Sequence, residues 1–132
     1  MERALILETT FLIDFERERR EEGAAPTVAF LRAHGDDQLF ITHTVAGELA
    51  AGMSLSDRTR WQEFIAPFRI LAVTPDVDWE YGKAYRHLQR NGQLIGANDL
   101  WIAATGLAYD VPVVTSNATH YRRVPGLDVL GY

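Results

Sequence analysis

Four oxygen-bearing side chains carry the chemistry open to this chain: Glu8, Glu48, Asp99 and Asn117. Glu8 and Asn117 follow the aliphatic or β-branched runs Leu5-Ile6-Leu7 and Val113-Val114-Thr115, whereas Glu48 and Asp99 flank or begin helical patterns. A carboxylate just past a strand end sits at the rim of an open sheet, where α/β proteins carry their sites. Carboxylates that converge there repel one another. At about 4 Å and an effective dielectric of about 20, each pair costs about 4 kcal/mol. A divalent cation removes that cost, and Mg²⁺ and Mn²⁺ take oxygen ligands of this kind. The pattern points to a metal site, with cleavage of a phosphate ester as its chemistry.

The elements that must position these residues follow from periodicity. Ala4–Leu7 is an apolar run that reads as a buried strand, and Thr9 or Thr10 can cap the helix carrying Phe11, Leu12 and Phe15. That helix runs on into the charged stretch Glu16–Glu22 and stops at Gly23. Pro26 suits the first turn of a second helix, lined by Ala24, Val28 and Leu31 and closed by Gly35. A strand at Leu39–Thr42 leads to a helix capped by Thr44 and carrying Val45, Leu49 and Met53. Asp57 opens a further helix through Trp61, Phe64 and Ile65, ended by Pro67 before a strand at Arg69–Val73. Pro75 or Asp76 starts a longer helix with Trp79, Gly82, Tyr85 and Leu88, closed by Asn91-Gly92. Asn98 caps the helix of Leu100, Ala103, Ala104 and Leu107, and strands follow at Pro112–Thr115 and Leu127–Leu130. Strands alternating with helices predict a three-layer α/β/α domain over residues 1–132, around a mainly parallel sheet of about five strands.

Each site position also has an ordinary reading. Glu8 is equally an exposed turn acid facing the positive end of the next helix, although Glu is a poor N-cap and two threonines compete for that role. With Thr44 as N-cap, the capping-box position is Gly47, so Glu48 comes one residue too late for it. At about 100° per residue Glu48 lies beside the Val45–Leu49–Met53 stripe, toward the sheet edge, where a solvated acid also fits. Asp99 lies about 90° from the centre of its buried face, and first-turn Asp also serves the helix dipole. Asn117 reads as a turn residue or helix cap as readily as a ligand. Thr10 and Thr115 are hydroxyl partners for the acidic rim, or plain caps. His43 and His120 belong to no nucleophile–base arrangement. Trp61, Trp79 and Trp101 suit helix packing better than base stacking, with Trp101 off its helix stripe.

Composition narrows the class. At 132 residues without cysteine, the chain can bury a core without disulfides or zinc thiolates. The opening Met1-Glu2-Arg3 has no apolar signal segment behind it, and no apolar run is of membrane-spanning length, so the expected location is cytoplasmic. A net charge of −5 argues against gripping nucleic acid by bulk electrostatics. Yet twelve of the thirteen basic residues are Arg, clustered at Arg17/Arg19/Arg20, Arg58/Arg60, Arg86/Arg90 and Arg122/Arg123. Arginine suits bidentate phosphate contacts. Helix-face ion pairs such as Glu16–Arg20 are the everyday alternative.

With these residues in view, the chain resembles the PIN-domain family, specifically VapC-type toxins of toxin–antitoxin pairs. The matching blocks are Leu7-Glu8-Thr9-Thr10-Phe11-Leu12-Ile13-Asp14, Thr44-Val45-Ala46-Gly47-Glu48-Leu49 and the run from Gly92 through Asn98-Asp99-Leu100-Trp101 to Ala104. Val114-Thr115-Ser116-Asn117-Ala118-Thr119-His120-Tyr121 and Val124-Pro125-Gly126-Leu127 complete the order over nearly the whole chain. The resemblance implies a Mg²⁺- or Mn²⁺-dependent endoribonuclease that cleaves RNA and is silenced by a VapB-like antitoxin. It also implies homodimers and toxin–antitoxin hetero-oligomers. The family's acidic site maps to Glu8, Glu48 and Asp99, with Asn117 at a fourth position where Asp is also found. One departure stands out: the family pattern has Asp where this chain has Glu8. The extra methylene moves the carboxylate by up to ~1.5 Å, and misplacement of about 1 Å can cost about 10²-fold in rate.

Two other classes compete. One is a catalytically impaired PIN-fold protein that binds an antitoxin or dimerises, motivated by Glu8 and the acidic net charge. The other is a receiver-like phosphoacceptor, which needs a Lys near the late strands. The only lysine is Lys83, in mid-helix, so this class is disfavoured.

Overall fold

The structure, a computed structural model, describes residues 3–21, 23 and 25–132. Five strands, β1 (Ala4–Leu7), β2 (Gln38–Thr42), β3 (Arg69–Leu71), β4 (Val113–Val114) and β5 (Val129–Leu130), form one sheet in the order β3-β2-β1-β4-β5. Every pairing is parallel. Between the strands run α1 (Thr9–Arg20), α2 (Pro26–Ala33), α3 (His43–Ala51), α4 (Arg58–Ile65), α5 (Pro75–Arg90), α6 (Ala97–Tyr109) and α7 (Ala118–Tyr121). This is the α/β architecture expected from the alternating pattern. The central strands β1 and β4 show no in–out alternation: Leu5, Ile6, Leu7, Val113 and Val114 are all fully buried, as in a sheet covered by helices on both faces.

The strand order has one functional consequence. The chain leaves β1 toward β2 and β3, but leaves β4 in the opposite direction, toward β5. Right-handed crossovers in opposite directions place their helices on opposite faces, opening a crevice at the carboxyl ends of the two strands where the direction reverses. Those strands are β1 and β4, paired in register Leu7↔Val114. The next residues along the chain are Glu8 and Thr115.

The structure corrects several local expectations. The N-cap of α3 is Thr42, not Thr44, with the Thr42 hydroxyl accepting from the Val45 amide at 3.1 Å. The N-cap of α6 is Gly96, which puts Asn98 in the first turn rather than at the cap. Thr74 caps α5 and Pro75 takes its first position. Met53 is 93% exposed in a single 3₁₀ turn, because α3 ends at Ala51 and Gly52 before the stripe can reach it. The buried stripe of α5 runs through Val77, Ala84 and Leu88, leaving Trp79 63% exposed with the Arg86 guanidinium over its ring. The first helix closes at Arg20, before Gly23. Strands β3, β4 and β5 are shorter than their apolar runs. The expected contributions of Met1, Glu2, Glu22 and Ala24 lie outside the described residues.

Helix α6 is the best-buried helix, with Leu100, Ile102, Ala103, Ala104, Thr105 and Gly106 all inside. At Gly106 a Cβ would lie 2.8 Å from Leu127 Cδ1, 3.0 Å from the Val111 carbonyl oxygen and 3.1 Å from Val113 Cγ2. Gly106 is therefore a packing requirement: it lets α6 approach β4. We expect Gly106→Ala to destabilise the fold by about 1–3 kcal/mol through overpacking, read as a lower urea midpoint with unchanged slope.

Candidate functional site

Glu8 leaves the end of β1 with its amide donating to the Val114 carbonyl at 3.0 Å, which continues the sheet by one residue. Its side chain turns back over the start of α1 and is only 3% exposed. Glu8 itself is the N-cap of α1, correcting the assignment of that role to Thr9 or Thr10. Its Oε2 accepts the Thr10 amide at 3.0 Å, the Thr10 hydroxyl at 2.5 Å and the Thr115 hydroxyl at 2.7 Å. Glu is unfavourable at such a position because of its length. Two threonine hydroxyls, from both sides of the crevice, hold this one in place. Burial raises the Glu8 pKa above its ordinary value and the charge of Asp99 adds to the rise, while the Thr10 and Thr115 hydrogen bonds oppose it.

The other three positions come from other elements. Glu48, half-buried on α3, accepts the Thr9 hydroxyl at 2.7 Å on Oε1, which ties α3 to the start of α1. Asp99, half-buried in the first turn of α6, accepts the Tyr121 hydroxyl at 3.1 Å on Oδ1. Asn117 precedes α7 without capping it through its side chain. Its amide Nδ2 lies 2.9 Å from His120 Nδ1, and its backbone N–H donates to the Thr115 hydroxyl at 2.9 Å. The Thr10 hydroxyl in turn accepts from the Ser116 amide at 3.1 Å, closing the crevice floor.

Tyr121 shows how these groups converge. It is fully buried, and its phenol is pushed far above its usual range, first by burial and then by the negative charges of Glu8, Asp99 and Glu48. Three carboxylates, from the turn between β1 and α1, from α3 and from α6, thus bear on one hydroxyl. Each has one oxygen anchored by a hydroxyl: Glu8 by Thr10 and Thr115, Glu48 by Thr9, and Asp99 by Tyr121. The second oxygen of each carries no hydrogen bond among the described residues. None is sealed from solvent, since no buried side-chain oxygen or nitrogen there lacks a partner.

That donor set suits a hard divalent cation. Among the described residues no three His, Asp or Glu side chains form a ready-made metal cage. Mg²⁺ does not need one, because it keeps several waters and binds through one or two carboxylates. The open oxygens of Glu8, Asp99 and Glu48, with the Asn117 amide oxygen, are the groups available to it or to Mn²⁺.

The surroundings sort the remaining candidates. Arg20 pairs with Glu16 at 2.9 Å, Arg17 with Asp14 at 3.0 Å, and Arg19 lies over the Phe15 and Phe64 rings, so the α1 cluster is engaged within α1 and against α4. His43 is exposed. The Trp61 indole N–H donates to the Ala46 carbonyl at 2.9 Å, and Trp101 stacks on Tyr81 with centroids 4.0 Å apart. Local sequence patterns do not reveal three partners of the site residues: Thr9 of Glu48, Tyr121 of Asp99 and His120 of Asn117. Thr9 reads as a cap, and Tyr121 touches Asp99 across 22 positions that no local pattern spans. No helix among the described residues is long and apolar enough to cross a membrane.

Comparison with known proteins bears on this arrangement. A family model described as the PIN domain matches residues 5–127. The chain is 31% identical to "Ribonuclease VapC" of Rickettsia bellii, over 96% of this chain and 94% of that protein. Among solved structures it is similar to the DNA-bound VapBC from Salmonella typhimurium, with TM-score 0.83 at 18% identity over 98% of each chain. It is also similar to VapBC2 from Rickettsia felis bound to a DNA fragment from their promoter, with TM-score 0.80 at 22% identity over 98% of each chain. At those identities the structural likeness speaks for the fold.

The raised Glu8 pKa has a definite stability consequence. A carboxyl whose folded pKa lies above its unfolded value favours the fold when protonated, and costs stability as pH rises through the folded value. We expect Glu8→Gln to raise the metal-free Tm at pH 7. The advantage should shrink to nothing as pH falls below about 4, where both forms are neutral. Thermal melts of the two proteins across pH read both outcomes.

Proposed function

The chain belongs to the PIN-domain family, among its VapC-type members, and on that premise we propose that it is a divalent-metal-dependent endoribonuclease. One observation carries the reading: at the carboxyl ends of β1 and β4, carboxylates from three separate elements are each held through one oxygen by a hydroxyl, with the other oxygen open. Glu8, Asp99 and the Asn117 amide oxygen would hold Mg²⁺ or Mn²⁺, directly or through water, with Glu48 completing the set. When bound, the cation supplies Lewis acidity and activates water at neutral pH. Glu48 would also orient the attacking water toward the phosphorus and accept its proton. The Thr9, Thr10 and Thr115 hydroxyls keep the acids aimed while the site is empty of substrate, so little reorganisation remains for the reaction itself. The exposed Arg58, Arg60 and Arg122 are guanidiniums suited to the RNA phosphates.

We further assign a VapB-like antitoxin as partner, together with a homodimer and toxin–antitoxin hetero-oligomers, in the cytoplasm. The solved neighbours named VapBC motivate this assignment. A second reading is a PIN-fold protein with an impaired site that acts through binding alone. It is favoured by the engagement of Glu8 Oε2 in three hydrogen bonds as a helix cap.

Antitoxin-free protein is expected to cleave single-stranded RNA with Mn²⁺ or Mg²⁺, and to stop when EDTA removes the metal. Asp99→Ala should lower the rate by at least about 10²-fold. Absence of cleavage with either ion would overturn the nuclease reading. Glu8→Asp separates the two proposals: a rate within about tenfold of wild type fits a working Glu8 site, whereas a gain beyond about 10²-fold marks the natural site as impaired.

A further inference from the structure

Tyr121 lies at the end of α7, a single helical turn, and its ring is fully buried beneath the acidic crevice. A buried phenolic hydroxyl needs a hydrogen-bond partner. The only one among the described residues is the Asp99 carboxylate, at 3.1 Å from Oδ1. Packing does not call for this hydroxyl, since a phenylalanine ring would fill nearly the same space. Of the three carboxylates, Glu8 and Glu48 are anchored by threonines at the start of α1 or the end of β4, immediately beside the crevice. Asp99 has no such neighbour. Its anchor among the described residues comes from α7, the single turn that follows β4.

We propose that Tyr121 is a positioning residue for the metal centre: its hydroxyl pins Asp99 Oδ1 and so presents Oδ2 as the open donor. The proposal rests on the metal-dependent reading above. A freely rotating Asp99 would have to be ordered when the cation binds, and that cost would subtract from affinity. An outer partner of this kind typically contributes about 10–100-fold to metal affinity. Tyr121 touches no reacting atom and takes no part in proton transfer.

The test is Mn²⁺ binding to the antitoxin-free chain by isothermal titration calorimetry, with a metal-free thermal melt of each protein. Tyr121→Phe is expected to weaken Mn²⁺ binding by about tenfold or more while its metal-free melt stays cooperative. Incorporation of p-aminophenylalanine at position 121 keeps the ring and restores a donor, and should return the affinity to within about threefold of wild type. Equal or tighter Mn²⁺ binding by Tyr121→Phe overturns the proposal. If the Phe protein does not fold, the p-aminophenylalanine protein decides: affinity near wild type supports the role and a loss of about tenfold or more overturns it. A wild-type chain that binds no Mn²⁺ removes the metal-dependent reading itself. That outcome is distinct from a site that binds the ion but ignores Tyr121.

Discussion

Everything in the crevice answers to one constraint, the gathering of like charges partly out of water at the carboxyl ends of β1 and β4. A hydrogen bond to a charged group contributes about 1.5–3 kcal/mol, and a close carboxylate pair at intermediate dielectric costs about 4 kcal/mol. Hydroxyl donors therefore offset part of the repulsion and leave the rest. At Glu8 the burial itself is the larger cost: removal from water, with the charge of Asp99 adding to it, holds its proton more tightly than usual despite three hydrogen bonds to Oε2. The same balance explains the composition of the floor: Thr9, Thr10, Thr115 and Tyr121 all donate through oxygen. None brings a positive charge that would compete with a cation.

The fold was legible because its signals are redundant. Ala4–Leu7 is an uninterrupted apolar run, and such a run with helical patterns after it implies a strand covered on both faces. Helix boundaries were less legible, since Thr42 and Thr44 have equal intrinsic claims to cap α3 and only the end of β2 decides between them. Met53 and Trp79 lie exposed against their periodicity for a related reason: a periodic stripe says which positions share a face, but not where the helix stops or what it meets.

The site was partly legible. Glu8 and Asn117 stood out because each follows a strand, and strand ends are visible in sequence. Glu48 stands out in sequence only by missing the capping position that follows from Thr44, whereas its position on α3 beside Thr9 is what brings it to the crevice. Tyr121 was invisible as a partner of Asp99, because the contact depends on α7 folding back over the end of β4. Local patterns carry the acids; the hydroxyls that steady them are products of tertiary structure. The arginines illustrate the converse, since the i,i+4 spacing of Glu16 and Arg20 already foretold their pairing.

Helix α6 has two duties that are usually separated. Its middle is wedged against β4 with no spare room at Gly106, and its first turn presents Asp99. A helix held so firmly transmits displacement along its axis instead of absorbing it. Interior and crevice are thus mechanically one piece, and the latitude for sequence drift in the core is set by the aim of a carboxylate two turns away. Such a molecule would lose its chemistry through slight interior misfit well before it lost its shape.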